Sequence, residues 1–300
     1  MSASPLSRLA TSGVQVTIGP FLVHVRSEFS IVKQYLETLY ADFPMSSEAG
    51  GHFEIGVAAP PGVRRWVRPQ ALMVVNGERP FLPLPARLAG ALFEWTLNYC
   101  ISRDAHHFVA VHAAVVERNG QALLVSGESG AGKSTLCAAL VLDGWRLLSD
   151  EFALVDPERG TLSPLPRPVS LKNASIDIIR QRGRDVVFGP EGVDIEDARF
   201  VHMKPPASSV QRASEQAMPR VVIFPRWRRG ASTSLTRVRK ADVLLRLADQ
   251  SFNYNYLGVR GFNALAGLAR RVEGYELEYS DLDDVLPRLA GLCDADARPS

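Results

Sequence analysis

"ALLVSGESGAGKSTLCAALVLDGWRLLSDEF" spans residues 122–152 of a 300-residue chain, and the rest of the sequence is read outward from it. A short apolar run ends in Gly127-Glu128-Ser129-Gly130-Ala131-Gly132-Lys133-Ser134-Thr135, and a second apolar run of helical length follows. The pattern G-x-x-x-x-G-K-[ST] between a strand and a helix is that of a phosphate-binding P-loop. Its glycines let successive backbone N–H groups curl inward around a polyphosphate, a path that larger residues resist. Lys133 would neutralise the β- and γ-phosphates, and the Ser134 hydroxyl would hold Mg²⁺. The helix beginning there points its positive end at the same phosphates. The motif therefore implies a polyphosphate and Mg²⁺ as ligands.

The segment before the loop raises a separate question. Between Phe108 and Val116 every side chain is apolar except His112. A core imidazole bonded to backbone is the ordinary fate of such a residue. The register argues otherwise. "ERNGQ" (117–121) is a hairpin signal, and Asn119-Gly120 suits a two-residue type I′ turn. Arg118 then faces Gln121 and His112 faces Gly127, at the mouth of the phosphate cradle. After the loop, Gly144 ends the helix in the manner of a C-terminal glycine. "WRLLSDEF" (145–152) then enters a strand with Asp150-Glu151 near its tip. An acid there holds Mg²⁺ or its waters, or takes a proton from an attacking hydroxyl. Adjacent side chains on a regular strand face opposite ways, so one acid reaches the metal and the other something else.

Farther out, residues 1–13 are small and polar and read as a disordered lead. Residues 14–88 read as a small α/β lobe, with a strand turned at Gly19-Pro20 and a helix over 28–43 carrying Ile31, Tyr35, Leu36, Leu39 and Tyr40 on one stripe. Two more strands (52–59 and 70–77) complete it. Residues 89–300 form the larger P-loop domain, with an apolar helix over 84–102 at the junction. A Pro-rich crossing (155–173) follows the acids, and residues 184–218 are polar and irregular enough to predict loops or a flexible insertion. "FPRWRRG" (224–230), with Arg237, Arg239 and Lys240, reads as a solvated basic face before a contact for phosphate or an acidic partner. "SFNYNYLG" (251–258) reads as core packing before a base or peptide surface.

Bulk composition narrows the function classes. Hydrophobic residues at 46% and charged residues at 22% are ordinary for a soluble globular chain. A net charge of +2 does not point to nucleic acid. No run of about 18 apolar residues suggests membrane insertion. Three widely spaced cysteines, Cys100, Cys137 and Cys293, match no metal spacing and suit a reducing, cytoplasmic location.

"HAAVV…GESGAGKST…GWRLLSDE" resembles the core of the HPr kinase/phosphorylase family, most of all its HPr-kinase-related kinase A members. The resemblance runs from His112 to Glu151 and extends to about Leu171. It implies an α/β fold with a P-loop kinase core, a mixed sheet flanked by helices, beside the small N-terminal lobe. Carried over, Gly127 to Thr135 become the nucleotide loop, with ATP as its ligand. His112 becomes a catalytic residue facing the γ-phosphate, and Lys133 acts on the same phosphate. Glu151 stands where the family keeps the Asp that deprotonates an acceptor serine, and Asp150, with Ser134, becomes the metal-side acid. The family's downstream Gly-containing signature is not recognisable; "PRPVSLKN" stands in its place, and Lys172 could approach the γ-phosphate. The expected activity is ATP- and Mg²⁺-dependent transfer to a hydroxyl of a protein or peptide acceptor. A homo-oligomer is compatible with this. The alternatives are a nucleotide-gated binding module without transfer, or a small-metabolite kinase, since a P-loop does not name its acceptor.

Overall fold

Alternating apolar and polar residues build the first sheet of the computed structural model, which describes residues 4–294. Strands β1 (Val14–Ile18) and β2 (Phe21–Ser27) alternate buried and exposed positions and pair antiparallel across Gly19-Pro20, as the sequence predicts. Helix α1 (Ser30–Leu39) buries Val32, Tyr35, Leu36 and Leu39. With β3 (Met45–Ser46), β4 (Phe53–Ala58), β5 (Gln70–Val75) and β6 (Leu84–Pro85) the sheet runs β3-β1-β2-β4-β5-β6. Helix α2 (Ala89–Asp104) packs on β4, β5 and α1, so by contact it joins this lobe rather than the portion that follows. Its other side, with Ala91 and Trp95, meets Phe200. Cover on both sides explains why its sequence is apolar nearly all round.

The remaining chain forms β7 (Val109–Arg118), β8 (Gln121–Ser126), α3 (Lys133–Leu142), β9 (Arg146–Ser149), β10 (Phe152–Val155), β11 (Leu162–Ser163) and β12 (Val169–Lys172). Then come α4 (Ala174–Arg182), β13 (Gly192–Val193), β14 (Arg199–Met203), α5 (Ala207–Gln211), β15 (Met218–Trp227) and β16 (Ser234–Val238). Helices α6 (Lys240–Asp249) and α7 (Tyr254–Arg271), strand β17 (Glu273–Tyr279) and helix α8 (Leu282–Cys293) close it. The main sheet runs β11-β10-β7-β8-β15-β17-β16, with β9 also on β7. β8, β15 and β17 are parallel, and their neighbours β7 and β16 antiparallel. Period-two alternation divides its faces. Ala114, Val116, Leu123 and Val125 pack with α3 and α8, whereas Val111, Ala113, Val115 and Leu124 pack with α6 and α7. By parity His112 lies on the α3 face. The protein is a mixed α/β chain with helices on both faces of its central sheet.

Two expectations are corrected. Part of the lead is ordered: Pro5–Arg8 form a 3₁₀ turn, and Leu6 and Leu9 are buried in the first lobe's core. Two leucines three residues apart were enough to dock a segment that is otherwise polar. Residues 1–3 lie outside the described residues. The stretch 184–218 is not all loop either. β14 lies between β12 and β13 in a three-stranded antiparallel sheet, and Phe200, Val201 and Met203 are buried. His202 interrupts the apolar pattern that would have revealed the strand.

Two buried polar groups give stability predictions. Glu117 on β7 pairs with Arg146 on β9, both nearly inaccessible, and the Arg146 guanidinium also donates to the carbonyls of Arg212 and Glu215, each at 3.0 Å. Glu117→Ala removes the close, buried anion and leaves Arg146 only the exposed Glu215 carboxylate at 3.9 Å, and urea denaturation should show a loss of about 3 kcal/mol. Burial, with Arg167 and Lys172 nearby, pushes the His202 imidazole down to about 3. The unfolded chain binds this proton at about pH 6.5 and the folded one does not, so stability falls as pH drops below that value toward 3. His202→Gln should lose less stability than wild type between about pH 6.5 and pH 4 in the same assay.

Candidate functional site

The hairpin register decides where His112 lies. Asn119 (φ 53°) and Gly120 (φ 78°) are both left-handed, as a type I′ turn requires. Arg118 pairs with Gln121, and the ladder holds to Ala113–Ser126, one step short of His112 and Gly127. On the other edge of β7, β10 pairs Phe152 with His112, and β9 pairs Ser149 with Val115. Asp150 and Glu151 therefore bridge two strands on one edge. The Ser149 hydroxyl accepts from the N–H groups of Glu151 (3.4 Å) and Phe152 (3.1 Å), and Ala113 N–H donates to Glu151 O at 3.3 Å. This small turn at the strand junction carries both carboxylates.

The loop has the shape its glycines allow. Gly130 (φ 83°) and Gly132 (φ 95°) are left-handed. A Cβ on Gly132 would also come within 3.0 Å of the Tyr279 hydroxyl, so that position excludes a side chain on two counts. Lys133, at the first turn of α3, is buried and donates from Nζ to Gly127 O (2.8 Å) and Glu128 O (3.0 Å). Burial draws its ammonium below the usual lysine range, against the opposing charges of Glu151 and Asp150.

The two acids take different partners. Asp150 is buried, and its Oδ2 accepts from Ser170 N–H at 3.0 Å. Burial first, and then the charge of Glu151, push this carboxyl up to about 7, although Ser170, Ser134 and Lys133 all pull it down. Glu151 instead places Oε1 3.5 Å from His112 Nε2. The imidazole is lowered by burial, with Lys133 acting the same way and Glu151 opposing. Phe252 lies 5.9 Å from its ring, and His112 N–H donates to Gln250 O at 2.8 Å. His112, Lys133, Ser134, Asp150 and Glu151 thus lie together at the loop.

The residues fit a magnesium ion. Asp150 Oδ1 is buried and has no hydrogen-bond partner, and it belongs to the carboxyl whose proton affinity the Ser134 hydroxyl lowers. Both donors are hard oxygens, as Mg²⁺ requires. Among the described residues no group of three or more His, Cys, Asp or Glu side chains is placed to hold a metal. An ion here would depend on phosphate oxygens and water for its other ligands, a habit of Mg²⁺.

Lys172 does not join this cluster. Its Nζ is 3.3 Å from Asp194 Oδ2, its side chain is 57% exposed, and among the described residues no hydrogen bond or ion pair ties it to the loop. Its neighbour Ser170, which the sequence did not single out, touches Asp150 instead. Sequence reasoning also missed Arg167, the one charged residue between Arg159 and Lys172. Its buried guanidinium sits 3.5 Å from Glu94 Oε2 and 5.8 Å from the Phe152 ring centre. A lone charge in an apolar stretch was the available signal, as for His112. In "SFNYNYLG" core packing holds in part: Tyr254 and Leu257 pack half-buried on the core, whereas Phe252 and Tyr256 are 45% and 74% exposed and the fully buried residue is Asn253. Asn253 accepts from Ala110 N–H (3.0 Å) and donates to Phe108 O (2.9 Å), so the polar residue anchors the segment.

The model of a family described as SynChlorMet cassette protein ScmC matches residues 93–172, just over a quarter of the chain. The matched stretch contains the loop, His112, both acids and Lys172. Among solved structures, the HPr(Ser) kinase/phosphatase from Coxiella burnetii is similar over 61% of this chain and 96% of its own, at 14% identity and a TM-score of 0.28. This structural likeness is partial and distant. No curated protein matches. Among the described residues no helix is long and apolar enough to cross a membrane.

Thermal shift tests the metal and phosphate assignments separately. Lys133→Ala should retain its circular dichroism spectrum and lose stabilisation by Mg·ATP. Asp150→Asn should be stabilised by ATP to the same extent with Mg²⁺ or with chelator, whereas the wild type gains from the metal. A Lys133→Ala protein stabilised as strongly as wild type removes the loop from the site.

Proposed function

We propose that this chain is an ATP- and Mg²⁺-dependent kinase that moves the γ-phosphate to a hydroxyl of a protein or peptide acceptor. Its sequence resembles the HPr-kinase-related kinase A proteins, and the observation that carries the reading is the Glu151–His112 pair. A carboxylate and an imidazole 3.5 Å apart stand beside the loop lysine, while the neighbouring acid is turned to the Ser170 N–H. Extended backbone sends adjacent side chains opposite ways, but it does not by itself supply an imidazole for one acid and leave a buried oxygen unpartnered on the other.

The chemistry follows from these positions. Phosphoryl transfer is mostly positioning and charge stabilisation, so few groups suffice. Lys133 places its ammonium against the oxygens of the transferring group. Asp150 and Ser134 hold the metal, which when bound draws negative charge from the phosphates. Glu151 takes the proton of the acceptor hydroxyl as its oxygen attacks the γ-phosphorus, and the bond to the β-phosphate oxygen breaks with its electron pair going to ADP. His112 holds the Glu151 carboxylate in place; burial, which lowers its proton affinity, keeps it from competing for that charge as a permanent cation.

Incubation with γ-labelled ATP in lysate of the source cell, followed by mass spectrometry of whatever carries the label, tests the reading directly. A labelled protein or peptide hydroxyl is the expected result. Label on a small metabolite would replace the acceptor class, and nucleotide binding with no transfer would leave a binding module. His112→Ala and Glu151→Gln should each reduce transfer more than about tenfold while changing ATP affinity little, because their contacts matter most as the γ-phosphate moves. Loss of stability with normal turnover in the folded fraction would make His112 a core residue.

A further inference from the structure

The start of the basic cluster lies against the nucleotide loop, while Arg228, Arg237 and Arg239 pair with acids elsewhere. Pro225, Arg226 and Trp227, the last residues of β15, face Glu128, Ser129 and Ala131 across an open cleft of ≈ 410 Å³. That volume is within the range of small-ligand clefts, about 300–1,000 Å³. Trp227 is 51% exposed, yet its indole N–H donates to Ser280 O at 3.3 Å, so the ring is tethered while half of it remains open. Its Cβ lies 3.8 Å from where a Cβ on Gly132 would stand, which puts the residue directly against the last glycine of the loop.

Sheet order says what this cleft faces. β7, β9 and β10, which carry or flank His112, Asp150 and Glu151, lie on one side of β8, and β15 and β17 lie on the other. The loop following β8 therefore has its acids and imidazole on one flank and Trp227 on the opposite flank. A triphosphate is a short linear chain whose middle the loop encloses. If its terminal phosphate meets Lys133 and the acid flank, the nucleoside must leave by the other. The exposed face of an indole is a surface on which a base stacks, and the adjacent guanidinium of Arg226 suits the phosphate nearest the sugar.

We propose that Trp227, with Arg226 beside it, is the nucleobase platform of this site. The inference rests on the nucleotide reading given under Proposed function and adds the residues that distinguish a nucleotide from a bare polyphosphate. The platform holds the base by its π-face, a mode tolerant of base identity, since the indole N–H is already committed to Ser280.

Calorimetric titration of the wild type, Trp227→Ala, Trp227→Phe and Lys133→Ala with Mg·ATP and with Mg·tripolyphosphate tests it. Trp227→Ala should weaken ATP about tenfold and tripolyphosphate less than about twofold. Trp227→Phe should recover most of the ATP affinity, and Lys133→Ala should weaken both ligands. A Trp227→Ala protein that binds ATP as wild type does, or that loses both ligands equally while folded, overturns the platform and leaves the loop as a phosphate site. A wild type that binds neither ligand overturns the nucleotide reading and this proposal with it. Should the alanine variant not fold, Trp227→Leu, apolar but without a π-face, answers the same comparison.

Discussion

The two-residue turn at Asn119-Gly120 sets the register of β7 on β8, and through β7 it sets where β9 and β10 can lie. One more residue in that turn would rotate every side chain of β7 to the opposite face. His112 would then leave the α3 side of the sheet, and its place opposite the loop would go to an alanine or a valine. Because β10 pairs Phe152 with His112, the same shift would also slide the acid pair along the strand. The loop would keep its shape, but His112 and the two acids would no longer converge beside it.

A second constraint comes from the first lobe. Glu94 of α2 accepts from the hydroxyls of Tyr35 (3.1 Å) and Tyr40 (2.6 Å), and its other oxygen lies 3.5 Å from Arg167 in the crossing after β11. Burial pushes this carboxyl above its usual range, against the pull of Arg167. Arg167 also hydrogen-bonds Asn98 and lies over the Phe152 ring, next along the chain from Glu151. Two desolvated charges are costly unless nearly every polar atom finds a partner, and here most of them do. The lobe without a phosphate motif thus contributes the anion that fixes the crossing beside the acids. Its role in the molecule is at least to hold that wall of the site.

Much of this was legible in residue patterns, and the failures have specific causes. The loop, its strand and its helix are local, so their glycines, lysine and apolar runs announced them. The hairpin was legible because Asn-Gly prescribes a turn geometry, and that geometry counts residues outward. Helix α2 was legible as a helix but not as part of the first lobe, since an apolar helix says it is covered without saying by what. β14 was hidden because His202 breaks its pattern, and a buried neutral imidazole is tolerated only once its neighbours are known. "SFNYNYLG" was legible only in part: Tyr254 and Leu257 pack on the core, but Asn253 took the fully buried position because its amide could satisfy Ala110 N–H and Phe108 O.

The glycine-rich loop, the facing of His112 toward it and the arrival of two acids after one helix were legible because each depends on spacing along a short stretch of chain. The fold then decided how those acids divide. Asp150 goes to the Ser170 N–H and Glu151 goes to His112 because a turn at Ser149 and the arrival of β12 place different partners on either side of them. It also decided that Lys172 pairs with Asp194, that Arg167 reaches Glu94, and that Trp227 lies against Gly132. These are meetings of residues far apart in the chain, set by which strands lie side by side, and no local periodicity records strand order.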